Sequence, residues 1–437
     1  MPPARGSLAR TAWLAVALLW PVAMLNYLDR QMLASMKFSV MADVPDVATD
    51  ANWGLMLGQF KWVYAFLSPL GGYVADRFGR RMTIAGSLFA WSAVTALTGS
   101  ATTFGELMWA RTLMGVSEAF YIPAALALIA DLHAEGTRSR AVGVHQTAIY
   151  VGMMAGGFGG YVADAPALGW RFAFHAAGAA GILYALPLAI ALGRVERAAA
   201  QAAPAQGGAA HGPDAARTPP VRAVRELAGS LPFVLLVACF TLPALAGWIV
   251  RDWMPAILKQ QFGIGQGVAG VSATLYLTIA MLVGVAIGGV LADRWTLSTH
   301  RGRAFTSAIG ILLLVPALFG VGNAATLAVA VTFLALFGLG WGLFDCNNMP
   351  ILCQVARPGL RATGYGIMNL VSISCGGLAD WAFGRMRDAG WPLNASFAAF
   401  ASMALVAVGL MLWIAWLLPV TGRTDPTRPA ARPGPAR

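Results

Sequence analysis

The chain has 437 residues, 58% of them hydrophobic and only 11% charged, with a formal net charge of +11. Soluble globular domains carry about 25% charged residues, so this composition excludes a water-soluble enzyme. A membrane-crossing helix needs about 20 apolar residues, which leaves room for about twelve with short connections; nucleic-acid binding explains the positive charge poorly, because no soluble basic domain is left over.

Taken in chain order, the apolar runs predict spans at 11–35, 53–75, 82–101, 105–130, 139–163, 170–192, 231–256, 266–291, 304–322, 325–353, 362–384 and 392–418. The first follows Arg5 and Arg10, exceeds the apolar core of a signal peptide and lacks a small-residue cleavage site, so it reads as a retained helix. With both termini cytoplasmic, most Lys and Arg fall on one face and only Lys37, Arg171, Lys259, Arg385 and Arg387 on the other. That bias predicts a multi-pass protein of the inner (plasma) membrane, its basic face toward the cytoplasm.

The segment 193–230, rich in Ala, Pro, Gly and Arg, reads as a flexible cytoplasmic linker between an N-terminal bundle (1–192) and a C-terminal bundle (231–418). Residues 419–437 read as a disordered cytoplasmic tail. Cys239, Cys346, Cys353 and Cys375 fall inside predicted spans without metal or redox spacing and read as packing residues; no metal or cofactor is expected.

The halves repeat one another. Gly72-Tyr-Val-Ala-Asp76-Arg77 after the second span recurs as Gly289-Val-Leu-Ala-Asp293-Arg294 after the eighth. Gly115, Glu118 and Pro123 recur at the same spacing as Gly342, Asp345 and Pro350, and Arg140-Ala-Val-Gly143 matches Arg361-Ala-Thr-Gly364. Such repetition is expected of transporters built from related bundles. It predicts an all-α polytopic membrane protein of twelve helices in two pseudo-symmetric six-helix bundles. The run Gly72 to Arg81, with Asp76, Arg77, Gly79, Arg80 and Arg81, resembles the signature loop of the major facilitator superfamily. The resemblance extends over essentially the whole chain. It implies that this loop is a cytoplasmic gate, with Asp293 and Arg294 as its partial second copy; Trp295 to His300 replace the remaining glycine and arginines.

Charges inside a bilayer cost at least about 2.5 kcal/mol each on insertion scales and usually face a bundle interior. Here they are Asp29 and Arg30 in the first span, Lys61 beside Tyr64 in the second, and Arg111 with Glu118 two turns apart in the fourth. Two acids beside several bases suit the coupling of a proton to an anion. Asn26-Tyr27-Leu28-Asp29-Arg30-Gln31 with Arg111 and Glu118 resembles the anion:cation symporter family of sugar-acid and sialin-like carriers, and Spinster-like carriers share much of it. That resemblance implies proton coupling through Asp29, Glu118 and Arg111, and substrate binding by Arg30 beside Tyr27; Lys61 reads as a further substrate contact, and Tyr64, one turn away, as a hydroxyl donor or a packing aromatic. Lys61 is otherwise read as a lysine snorkelling to the membrane surface.

In the second half, Asp345, Asn347 and Asn348 beside Pro350 predict an irregular, solvated segment, and Tyr365, Asn369, Ser372 and Gly376 share one helix stripe. Asp345, Asn348, Asn369 and Ser372 are expected to read substrate hydroxyls. Arg251-Asp252-Trp253 at the end of the seventh span suits an external gate or interfacial anchoring and is read as the latter, and His145 as a packing residue. The expected partners are a small hydroxylated organic anion such as a sugar acid, protons and the lipid bilayer, the protein working as a monomer by alternating access. The alternatives are Spinster-like lipid or lysolipid export and organic-anion antiport. An intramembrane hydrolase would need a nucleophile with its base or paired catalytic carboxylates, and no such cluster is present in the sequence.

Overall fold

The computed structural model describes residues 5–133, 135–202 and 219–418. They form eighteen α-helices and no strand among the described residues. Helix α1 is Arg5–Ser35, α2 Lys37–Asp43, α3 Asp50–Leu67, α4 Gly71–Phe78, α5 Arg80–Thr98, α6 Phe104–Glu118, α7 Tyr121–Leu132, α8 Glu135–Gly157 and α9 Gly159–Asp164. Helix α10 is Gly169–Ala202, α11 Pro220–Ala228, α12 Leu231–Phe262, α13 Gln266–Thr296, α14 Gly302–Gly322, α15 Leu327–Asp345, α16 Asn348–Val355, α17 Arg361–Asp388 and α18 Leu393–Leu417. Four of the twelve expected spans are broken rods: α3–α4, α6–α7, α8–α9 and α15–α16. Helices α2 and α11 lie outside the rods.

The breaks follow local chemistry. A 3₁₀ turn at Ser68–Leu70, with Pro69 inside it, separates α3 from α4. Helix α6 ends at Glu118 and α15 at Asp345, the two acids that the repeat makes equivalent. Each of these rods also begins with a threonine cap: the Thr103 hydroxyl accepts from Glu106 N at 3.2 Å, and the Thr326 hydroxyl from Val329 N at 3.4 Å. Irregularity in the tenth span was expected; its counterpart in the fourth is a finding. At the turn between α4 and α5, Gly79 takes φ +81°, which favours glycine and accounts for that position in the signature loop.

Burial is inverted relative to a water-soluble protein. Phe66, Trp109, Leu183, Leu186 and Trp416 are exposed, whereas Asp29, Lys61, Arg111, Glu118 and Asp380 are buried. Eight helical rods are long and apolar enough to cross a membrane. The other four, α3–α4, α5, α8–α9 and α17, are less so; three of these form the seam between the halves. Helix α3 packs along α17, and α8 and α9 along α13, while α1 touches α12. Within the halves, α1 packs on α8, α5 on α10, α13 and α14 on α15, and α14 on α18. Of the segment expected to be a flexible linker (193–230), α10 extends to Ala202 and α11 occupies Pro220–Ala228. The remainder between them, and the expected tail at 419–437, lie outside the described residues.

Candidate functional site

Between the halves lies a cavity of about 550 Å³. Its walls run from Lys61, Trp248 and Ser372 at mid-depth to Ser68, Pro69 and Ala362 at the end that carries the arginine-rich α4–α5 turn, here called the basic end. Toward the opposite end the seam is shut. A Cβ on Gly54 would overlap the Asp380 carbonyl oxygen, and one on Gly58 would lie 2.6 Å from the Gly377 carbonyl oxygen, so only glycine lets α3 and α17 come this close. Trp62 donates from its indole to the Ser374 carbonyl at 3.0 Å.

Polar groups reinforce the closure. The Gln266 amide donates to Ser39 Oγ at 2.6 Å and to Asp164 Oδ1 at 3.0 Å, and its oxygen accepts from Phe38 N at 3.1 Å. Asp388 accepts from Asp50 N and Ala51 N at 2.9 and 2.8 Å, capping α3 from the other half. Lys37 pairs with Asp50 at 2.5 Å.

The first-half cluster forms at the cavity wall, with Arg30 on its face and Asp29 and Glu118 outside the lining. Arg30 donates from Nε to Glu118 Oε2 at 2.7 Å, and Glu118 is fully buried. The Arg30 guanidinium sits over the rings of Tyr27, Phe60 and Tyr64 at 4.9, 4.6 and 5.1 Å from their centroids. Asp29 accepts from the Thr95 hydroxyl at 2.9 Å. Asp29 Oδ1 and Glu118 Oε1 are buried without a hydrogen-bond partner among the described residues. Arg111, expected to partner Glu118, instead donates to Met114 Sδ at 3.3 Å and lies over Phe60 at 5.8 Å. The guanidinium of Arg30, expected to face substrate, is therefore engaged by Glu118.

Lys61 does not snorkel. It is buried between Asp252 on α12 and Asp380 on α17, ion-paired to both, and lies 4.2 Å from the centroid of the Trp248 ring. Asp380 is fully buried and also accepts from Trp253 Nε1 at 3.2 Å. The Arg251-Asp252-Trp253 run thus faces the protein interior and is not an interfacial anchor, since Trp253 is itself buried. Asp380 was missed in the sequence, although it lies one helical turn past Gly376 on the stripe of Tyr365, Asn369 and Ser372.

Of the expected substrate residues, Tyr27, Arg30, Lys61, Tyr64, Asp345, Asn369 and Ser372 line the cavity. Asn348 is buried and donates to Asp345 Oδ1 at 3.1 Å, so it positions that carboxylate. Arg251 also lines the cavity, facing Trp248 and Trp341, as do Phe240 and Met281. His145 shares a 3.0 Å hydrogen bond with the Tyr121 hydroxyl, as suits a packing residue. In the signature loop, Arg80 pairs with Asp131 at 2.5 Å and with Asp76 at 3.7 Å, both within the first half. In its copy, Asp293 pairs with Arg303 at 2.9 Å and not with Arg294. A Cβ on Gly72 would meet nothing within 4 Å. Among the described residues no cluster of His, Cys, Asp or Glu could hold a metal.

A two-bundle helical fold with a central cavity open at one end and sealed at the other is the architecture of a membrane transporter, and the family match points the same way. Residues 19–380 match the family model of the Major Facilitator Superfamily, and the chain belongs to that superfamily. It is 28% identical over 389 residues to Protein spinster homolog 1 of Homo sapiens, covering 82% of this chain and 70% of that protein. It is also 28% identical to an MFS-type efflux pump of Mycolicibacterium smegmatis, covering 87% and 85%. A crystal structure of a bacterial homologue of the human lysosomal transporter Spinster, inward-facing and unoccupied, shares the fold with a TM-score of 0.79 at 20% identity, over 93% of this chain and 98% of that one. A D-xylose-proton symporter shares it with a TM-score of 0.71 at 18% identity, covering 94% and 99%.

Proposed function

We propose that the protein carries a small amphipathic organic anion across the membrane by alternating access, coupled to protons through Asp29 and Glu118. The observation that carries this reading is the unlikeness of the cavity walls. One presents the Arg30 guanidinium among Tyr27, Phe60 and Tyr64, and the other presents Phe240, Trp248, Met281 and Trp341 beside Arg251. A polar head and an apolar body both find partners there. The similarity to Spinster proteins favours the Spinster-like alternative that the sequence resemblance raised, a lipid or lysolipid cargo.

Coupling follows from the Arg30–Glu118 pair. One oxygen of Glu118 holds Arg30 and the other is buried without a partner among the described residues. A buried unpaired carboxylate oxygen is costly, and a proton on it removes that cost while loosening the hold on Arg30. Proton uptake and the arrival of an anion near Arg30 therefore favour the same state. The cavity mouth is assigned to the cytoplasm from the basic end, and the membrane to the plasma membrane.

The hydroxylated sugar acid is the second reading, carried by Asp345, Tyr365 and Asn369 on one stretch of wall. In proteoliposomes with an internal pH dye, lysophosphatidate but not glucuronate is expected to drive proton flux. Glu118→Gln is expected to keep counterflow of lysophosphatidate and lose its pH dependence. Proton flux with glucuronate alone selects the sugar-acid reading, and unchanged pH dependence in Glu118→Gln removes the coupling role.

A further inference from the structure

Two arginines reach the cavity, one from each half, and they differ in what they already hold. Arg30 is ion-paired to Glu118. Arg251, on α12, is half-buried and makes no ion pair or side-chain hydrogen bond among the described residues. Its neighbour Asp252 is committed to Lys61. The cavity acid on its own half, Asp345, lies near enough to feel the Arg251 charge but forms no ion pair with it, and accepts from the Asn348 amide. What surrounds the Arg251 guanidinium is aromatic: its Cζ lies 5.0 Å from the centroid of the Trp248 ring and 5.9 Å from that of Trp341.

Aromatic faces attract a guanidinium, yet they accept none of its five N–H donors in the strong sense that an oxyanion does. They hold the head group in place with its donor edge available. The main chain beneath it is also fixed, because the Gln31 amide donates to the Arg251 carbonyl at 3.0 Å across the seam. A planar fork held against two indoles at the wall of a cavity is suited to bidentate capture of a carboxylate or phosphate, with the apolar body of the ligand against Trp248, Trp341 and Phe240.

We propose that Arg251 is the docking site for the anionic head group of the cargo, a carboxylate or phosphate on an apolar body, and that Arg30 is not its first contact. This rests on the amphipathic-anion reading above and assigns its head group to one residue. It also divides the labour between the halves: the second half captures the anion while Glu118 still holds Arg30, and the first half responds by moving a proton.

The test is equilibrium binding to the full-length protein in lipid nanodiscs at neutral pH, by calorimetry, with octyl phosphate as probe and octanol as the uncharged control of equal chain length. Losing a charge-assisted hydrogen bond to the head group predicts roughly 10- to 100-fold weaker octyl phosphate binding in Arg251→Ala. Arg251→Lys keeps the charge without the fork and is expected to fall between wild type and Ala, which also covers an Ala variant that does not fold. Arg30→Ala is expected to lose less octyl phosphate affinity than Arg251→Ala. Octanol should bind wild type and Arg251→Ala alike, an outcome that a merely structural role for Arg251 would not give. Equal octyl phosphate binding in wild type, Arg251→Ala and Arg251→Lys, with loss in Arg30→Ala, would overturn the assignment and leave the amphipathic reading standing. No octyl phosphate binding by wild type, with glucuronate bound, overturns both.

Discussion

The two ends of the seam between the halves are built from the same kinds of residue and are in opposite states. At the closed end, Gly54 and Gly58 on α3 meet the α17 backbone, and Gly384 on α17 meets Asp50. At the basic end, Gly72 on α4, Gly289 on α13 and Gly366 on α17 face open space. Polar groups follow the same division. Gln266 and Asp388 at the closed end and Lys61 at mid-depth bond across the seam, whereas the Arg80–Asp131 and Asp293–Arg303 pairs at the basic end stay within their own halves. Glycines with nothing against them, on helices that approach closely elsewhere, leave room for a contact that is not made here. The difference teaches that closure here is a property of small residues along α3, α13 and α17, and that the charges only tie what the glycines allow.

The comparison breaks most completely if the close approach is removed. Gly54→Leu is expected to wedge α3 from α17, abolish transport and leave the closed end reactive to impermeant thiol reagents at an introduced Ser374→Cys; normal transport by this variant would refute the close-packing account. Lys61→Met leaves the buried Asp380 and the half-buried Asp252 without their cation and is expected to cost about 3–5 kcal/mol. A fall in melting temperature measures it, with recovery in the triple variant carrying Asp252→Asn and Asp380→Asn. Gln266→Ala strips partners from Ser39, Asp164 and the Phe38 amide and is expected to cost about 1–3 kcal/mol of closed-end stability, read as faster hydrogen exchange at the start of α13.

The smallest effect is expected at the basic end, where Arg357 holds Glu226 of α11 through hydrogen bonds of 2.6 and 2.8 Å. Those bonds keep the Glu226 carboxyl below its ordinary value. Whatever the pair contributes is therefore present near neutral pH and lost as pH falls through that lowered value. The pair is solvent-exposed, so Glu226→Gln should leave the melting temperature unchanged at neutral pH.

Much of this was legible in the sequence, for physical reasons. Span length is a local property of apolar runs, and the signature loop and the Glu118/Asp345 repeat are short patterns in contiguous residues, so the rods and two halves could be read directly. The Lys61–Asp252–Asp380 cluster could not be, since its members lie 191 and 319 residues from Lys61 and nothing local marks them as partners. Asp380 did carry one signal, the continuation of the α17 stripe past Gly376. Arg251 misled because an arginine beside a tryptophan near a span end has the same spelling whether it faces headgroups or a cavity. Here α12 runs on to Phe262, six residues past the expected end at 256, so Arg251 to Trp253 sit within the helix and not at its end. The break after Glu118 escaped notice because Phe120 and Tyr121 continue the apolar pattern through it.

The central claim, that the closed and open ends exchange states, is tested most directly by pulsed electron-spin distance measurements on two label pairs in a background free of the four cysteines. One pair, at Ala167 and Ala325, spans the closed end between the halves; the other, at Phe78 and Leu297, spans the basic end. Acidification with a bound amphipathic anion should lengthen the first distance and shorten the second in the same molecules. A first distance that stays fixed under every condition in which the protein still transports would contradict alternating access across this seam.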